Sequence, residues 1–175
     1  MKHLTPADYT AMPWKNGKGV TVELARAERE GQLLWRLSMA TVSEDGPFSL
    51  FPGIARNLTV LEGPGFRLVG DGIDLPCLPL SPVAFAGDAA VHAVETGGEA
   101  SIDFNVMTDA TLPPAQVDIV TQARNVDAAD LTALFALAPA VVDGRPLDRH
   151  DLLLTDAACH IRPESAVLVA RLFLS

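Results

Sequence analysis

Short runs of alternating residues, each closed by turn chemistry, leave this chain little choice but antiparallel β structure. Trp35, Leu37 and Met39 alternate with Arg36, Ser38 and Ala40. Leu58 and Val60 alternate with Asn57, Thr59 and Leu61, and Ile102, Phe104 and Val106 with Ser101, Asp103 and Asn105. Between and beyond them stand Glu44-Asp45-Gly46-Pro47, Phe51-Pro52-Gly53, Glu62-Gly63-Pro64-Gly65, Gly70-Asp71-Gly72, Thr96-Gly97-Gly98 and Asp143-Gly144. The 13 glycines and 13 prolines suit such corners, because each corner needs a fixed or a positive φ. Two segments read differently. Thr5-Pro6-Ala7-Asp8 has the hydroxyl cap, early proline and first-turn acid of a helix start, and Pro13 keeps that N-terminal helix short. The window from Asp127 to Leu137 is ambiguous between helix and strand, and its part from Thr132 to Leu137 reads as strand.

The rhythm occurs twice. Leu58 to Gly63, Phe66 to Gly72 and Pro82 to Asp88 run as strand, strand with Asp-Gly turn, and a strand beside an acid. Leu134 to Leu137, Ala140 to Gly144 and Arg149 to Leu154 follow the same order. This is the rhythm of a cupin, a small barrel of two facing sheets in the RmlC-like jelly-roll class. The expected fold is therefore all-β: a compact bicupin of two fused half-barrels with a short N-terminal helix. Residues 1–110 form the first cupin-like barrel and residues 111–175 the second, packed as one globular unit, with Pro113-Pro114 in the connection. The run from Ala166 to Leu174 is apolar on both faces, which suits the centre of the packing or a subunit interface; monomer and homodimer both fit.

Composition narrows the partners. With 175 residues, 49% of them hydrophobic, the chain can bury a large core. A net charge of −9 argues against nucleic acid, since a phosphate backbone calls for clustered Lys and Arg. An acidic protein that binds a small anion must gather its few cations locally. Cys77 and Cys159 lie far apart and read as reduced buried thiols rather than a disulfide or a metal pair. The opening Met1 to Pro6 lacks the apolar core of a signal peptide, and the longest apolar stretch, Leu134 to Val142, is too short to span a bilayer. The expectation is a soluble, cytoplasmic protein without membrane contact.

Metal chemistry in a barrel of this class uses paired histidines two apart, so that both imidazoles point inward. Here His3, His92, His150 and His160 are dispersed, so no metal and no cofactor are expected, and His150 reads as a surface partner of Asp151. Ser38 and Ser49 have no base beside them in sequence, and Cys77 has nothing nearby to lower its pKa. Anion binding is the better case. In Pro13-Trp14-Lys15-Asn16-Gly17 a cation precedes a tight-turn dipeptide at the mouth of the strand that starts at Val20. Arg36 and Ser38 share one sheet face, Asp103 and Asn105 share another, and Arg56 starts its strand after a Pro-Gly corner. Arg36 or Arg56 could grip a carboxylate with two hydrogen bonds, Lys15 could add a point charge, and Asn16, Ser38 and Asn105 could read the remaining polar atoms. Trp14, Trp35 and Phe104 would supply apolar walls. The plainer reading of Arg36 is an outward ion-pair partner of Glu23 or Asp103. Carboxylates such as Glu62, Asp88 or Asp103 could serve a metal-free acid–base enzyme, if burial moves their pKa values.

Several of these stretches occur together in one order. Pro13-Trp14-Lys15-Asn16-Gly17, Trp35-Arg36-Leu37-Ser38-Met39-Ala40, Gly46-Pro47-Phe48-Ser49-Leu50-Phe51-Pro52-Gly53, Leu61-Glu62-Gly63 and Asp103-Phe104-Asn105-Val106-Met107 resemble the HutD/Ves family of bacterial proteins. The chain departs from its pattern at Lys18 and at Asp109-Ala110. The resemblance implies a cupin-type protein of the bacterial cytoplasm, associated with histidine-utilisation genes, with no assigned reaction. It implies a modulator of histidine catabolism that binds a small carboxylate metabolite such as urocanate or a formylated glutamate. The rival classes are a metal-free isomerase or hydrolase acting on a similar acid in the same pocket, and a protein-interaction module that works through its surface.

Overall fold

The computed structural model describes residues 1–14, 17 and 19–175, and these form nineteen strands and one three-residue 3-10 turn. In chain order the strands are β1 (Lys2–Leu4), β2 (Thr10–Pro13), β3 (Val20–Arg29), β4 (Gln32–Val42), β5 (Gly46–Pro47), β6 (Ile54–Glu62), β7 (Phe66–Gly70), β8 (Ile73–Cys77), β9 (Val83–Ala86), β10 (His92–Val94) and β11 (Ser101–Asp109). They continue as β12 (Gln116–Val120), β13 (Arg124–Val126), β14 (Leu131–Ala136), β15 (Ala140–Val142), β16 (Arg145–Leu147), β17 (Leu152–Thr155), β18 (Cys159–Pro163) and β19 (Val167–Leu172). The ambiguous window thus contains a strand, β14. The expected N-terminal helix is not formed: Pro6–Asp8 is only the 3-10 turn. Its cap is real, because the Asp8 carboxylate accepts from the Thr5 amide at 2.8 Å and from its hydroxyl at 3.0 Å. But Tyr9 is already extended, and from Thr10 the chain is committed to pairing with β3.

The chain divides into two compact units, Thr10–Thr111 and Met1–Tyr9 with Leu112–Ser175. In the first, one sheet has the order β2-β3-β4-β11-β6-β9 and the other β5-β10-β7-β8. In the second, the orders are β1-β17-β14-β19-β12 and β13-β18-β15-β16. The eight strands β4 to β11 of one unit and the eight strands β12 to β19 of the other occupy the same places, so one topology is used twice. The expected closed barrel is replaced by pairs of open sheets. The ladder stops at the corners: β4 ends at Val42 and β5 begins only at Gly46, after Ser43-Glu44-Asp45. Nor do the first residues belong with the first barrel. β1 pairs with β17 through Lys2↔Leu154, His3↔Leu153 and Leu4↔Leu152. Asp151 takes His3 Nε2 at 2.8 Å as its partner, and His150, expected to face Asp151 at the surface, stacks on Phe135.

Each unit buries apolar side chains between its two sheets. In the second these include Val120, Leu134, Leu153, Ile161, Val167 and Val169. In the first, Val42, Leu58, Val60, Phe66, Leu68, Cys77, Phe85 and Val91 form the corresponding cluster. Both cysteines are free and buried. The Leu61-Glu62-Gly63 motif has a steric reason. Gly63 has φ +91, and a Cβ there would lie 2.3 Å from the Ala100 carbonyl, so only glycine lets the β6–β7 corner close over β11. Among the described residues no helix is long and apolar enough to cross a membrane.

Candidate functional site

The inner face of the six-stranded sheet is apolar at one end and polar at the other, and register explains why. Across β4, β11 and β6, one row reads Arg36, Met107, Arg56, the next Ser38, Asn105, Leu58, and the next Ala40, Asp103, Val60. Residues two apart on a strand share a face, so Arg36, Ser38, Asp103, Asn105 and Arg56 all project to the same side. That side opens into a pocket of about 530 Å³. Trp14, Arg36, Ser38, Arg56, Asp103 and Asn105 all line it, together with Met12, Pro13, Thr21, Phe48, Ser49, Phe51 and Met107. Lys15 and Asn16 lie outside the described residues. Their neighbour Trp14 donates its indole N–H to Thr21 Oγ1 at 2.9 Å, and its ring rests on Gly19, where a Cβ would come within 2.8 Å of it.

Arg56 is the most constrained group. It is 7% exposed, and its guanidinium carbon lies 5.3, 5.2 and 4.9 Å from the ring centres of Phe48, Phe51 and Phe85. Cations are attracted to such ring faces, most strongly when desolvated. The corner that carries Phe48 and Phe51 is pinned by backbone bonds from Phe48 N to Val91 O and from Phe51 N to Gly87 O. Gly87 is required there, since a Cβ would meet the Phe51 carbonyl at 2.5 Å. Arg56 Nη2 donates to Asn105 Oδ1 at 2.9 Å, and the Asn105 amide donates to Asp103 Oδ1. This chain orients the Asn105 amide. Burial lowers the Arg56 pKa to about 10, against the opposing pull of Asp103, so the group stays cationic at neutral pH.

Asp103 is 1% exposed, and burial raises its carboxyl to about 7; the Arg56 charge and the Asn105 bond oppose the rise and do not overcome it. Its Oδ2 has no hydrogen-bond partner. Arg36 is bonded through Nε to Glu23 Oε2 at 2.7 Å, and the two side chains are 15% and 19% exposed. The ion pair with Glu23 thus exists, but at the pocket wall rather than toward bulk water. Ser38 is buried beside Asn105. Among the described residues no group of three His, Cys, Asp or Glu converges as a metal site. Cys77 is held as a thiol, its pKa pushed up to about 12 by burial and by the Asp103 charge.

Two expected walls are misplaced. Trp35 and Phe104 are each one residue out of phase with Arg36 and Asp103, so both are buried on the opposite face of the sheet. The aromatic walls are instead Phe48 and Phe51, with Phe85 behind Arg56, none of which was anticipated. The signal was present: the Gly46 to Gly53 corner carries two phenylalanines three residues apart, immediately before the strand of Arg56.

Comparison with known proteins agrees with this architecture. An uncharacterised 21.2 kDa protein encoded in the hutC 3′ region of Pseudomonas putida is 46% identical over 107 residues, which are 59% of this chain and 56% of that protein. The structure of HutD from Pseudomonas fluorescens SBW25, in a formate condition, superposes with a TM-score of 0.89 at 32% identity, over 99% of this chain and 98% of that one. A conserved protein of unknown function from Pseudomonas aeruginosa PAO1 gives 0.84 at 33% identity, over 98% of both chains. A cupin 2 conserved barrel domain protein from Leptotrichia buccalis, with a TM-score of 0.57 at 8% identity, shares the fold alone. A family profile, HutD, matches residues 6–169, and with so much of its length covered the chain belongs to the HutD family.

Proposed function

We propose that the pocket of the Thr10–Thr111 unit binds a small carboxylate metabolite, without a metal, and that binding moderates histidine catabolism in the cytoplasm. The observation that carries this reading is the presence of Arg36 and Arg56 in the wall of one pocket, in a protein of net charge −9. A guanidinium offers five N–H donors in a planar fork that matches a carboxylate. Arg36 Nε–H donates to Glu23 Oε2, and the Nη N–H groups could donate to a ligand carboxylate. Met12, Pro13, Trp14 and Phe48 supply the apolar wall that a small organic acid needs beside its charge. The volume, about 530 Å³, suits a metabolite with one ring or a short chain, such as urocanate or formylglutamate. The family's link to the histidine-utilisation locus supports that choice, as does the hutC neighbourhood of the P. putida relative. The eight-strand order used twice supports reading the chain as a bicupin with its ligand site in the first half.

Calorimetry against urocanate, histidine, formylglutamate and formiminoglutamate is expected to show at least one binder. Arg36→Ala should weaken it by roughly 1.5–3 kcal/mol, the contribution of a charged hydrogen bond. No heat with any of the four would remove the assignment.

A second reading draws on Asp103, whose raised pKa is what a general acid or base at neutral pH requires. In that case the same pocket belongs to a metal-free enzyme. Turnover of one of these acids that is lost in Asp103→Asn, with binding kept, would establish it. Unchanged acids after long incubation would exclude it for that set.

A further inference from the structure

Anion binding alone does not account for Asp103, a carboxylate buried in the wall of the cavity that is read above as the site of a second carboxylate. Like charges in a site that excludes water repel strongly unless one is neutralised. Among the described residues, few charged or titratable groups face Asp103. β6 contributes Arg56; β4 contributes Arg36, already paired with Glu23 of β3; and β8 contributes the Cys77 thiol. β7 and β10 present Phe66, Leu68 and Ala93 to the same interior, all of them apolar. Arg56 reaches Asp103 only through Asn105, and Asp103 Oδ2 is left without a partner. A carboxylate bound against Arg56 would draw on the Arg56 field, which together with the Asn105 bond favours the Asp103 charge, and add a negative charge of its own.

We infer that binding of a small carboxylate in this pocket takes up one proton from solvent, which settles on Asp103. The complex then holds the Arg56 cation, the ligand anion and a neutral Asp103 carboxyl, with the new proton on Oδ2. The inference rests on the pocket assignment above, and it makes affinity fall as pH rises, although the ligand itself does not titrate. The free carboxyl of Asp103, near 7, sets where the fall begins.

Formate is a suitable probe, since its carboxyl does not titrate between about pH 6 and 9. Affinity for formate in the wild-type protein is expected to drop by up to about tenfold per pH unit above about 7. At pH 8, calorimetry in two buffers with different ionisation heats should show an uptake of about half to one proton per formate. Asp103→Asn should bind formate with an affinity that is level across this range; the buffer comparison needs only the wild type and stands if that variant folds poorly. Affinity in the wild type independent of pH would overturn the inference while leaving the pocket in place. Net proton release would overturn it too, because it would mean an ionised Asp103 accepting a hydrogen bond. Absence of binding by formate at every pH, and by all four pathway acids, would overturn the pocket reading itself.

Discussion

Arg56→Ala is expected to lower the unfolding free energy by about 2–4 kcal/mol near pH 6, and by more at pH 8. Three losses combine. The guanidinium lies against three phenylalanine rings, each within 5.3 Å of its carbon, and a desolvated contact of this kind contributes about 0.5–2 kcal/mol. Asn105 Oδ1 would be left as a buried acceptor with no donor, at about 1–3 kcal/mol. The side chain is 7% exposed, so its removal also opens a void. Part of the damage is avoided below about pH 7, where Asp103 can take a proton once its counter-charge is gone. Above that pH the wild type gains from ionising Asp103 beside Arg56, whereas in the variant the carboxyl is pushed further up and loses that gain, hence the larger loss. Arg56→Lys should recover the charge but not the stacked planar fork, and fall between wild type and Ala. Urea unfolding at the two pH values measures all three proteins. A loss below about 1 kcal/mol for Arg56→Ala would contradict the packing described.

Asp103→Asn is expected to make the protein more stable at pH 8, by about 1–3 kcal/mol, and to change little at pH 4. The unfolded carboxyl releases its proton near 3.8, whereas the folded one holds it to about 7. Between those values folding takes up a proton, so this group's contribution becomes less favourable as pH rises through the window and is level above it. At about 1.4 kcal/mol per pH unit the ceiling is about 4 kcal/mol, and local relaxation brings the expected gain below it. Exposed carboxylates such as Asp8 and Asp45, held low by bonds from Thr5 and Thr96, titrate in the opposite sense. The measurement is therefore the difference between variant and wild type in urea unfolding from pH 4 to 8. A variant less stable than wild type at pH 8 would mean that the Asp103 charge is well compensated in the folded protein.

Much of the fold was legible because period-two alternation and Gly/Pro corners are local signals. What was misread depended on competition between segments. Thr5 to Asp8 does form its cap, yet the chain turns into β2 one residue after Tyr9 because β3 offers a full ladder. Proximity in sequence groups Met1 to Tyr9 with the first half, whereas β1 pairs with a strand about 150 residues away. Within the pocket, alternation grouped Arg36 with Ser38 and Asp103 with Asn105, and the register of β4, β11 and β6 put these pairs on one face. Alternation also excluded Trp35 and Phe104 from that face, a consequence available from the sequence alone. The two phenylalanines of the Gly46 to Gly53 corner stand in the sequence just before the strand of Arg56. Their closure with Phe85 into a ring around Arg56 is not readable there, because it joins a corner, a strand start and a distant edge strand. The burial that raises the Asp103 carboxyl likewise comes from the second sheet, which no local pattern reports.

Crystals grown with saturating formylglutamate or urocanate test the central claim most directly. The account predicts density for the acid in the pocket of about 530 Å³, its carboxylate within hydrogen-bond distance of Arg36 or Arg56 and its apolar part against Trp14 and Phe48. An empty pocket with either acid at saturation, or density lodged at a different surface, would contradict it.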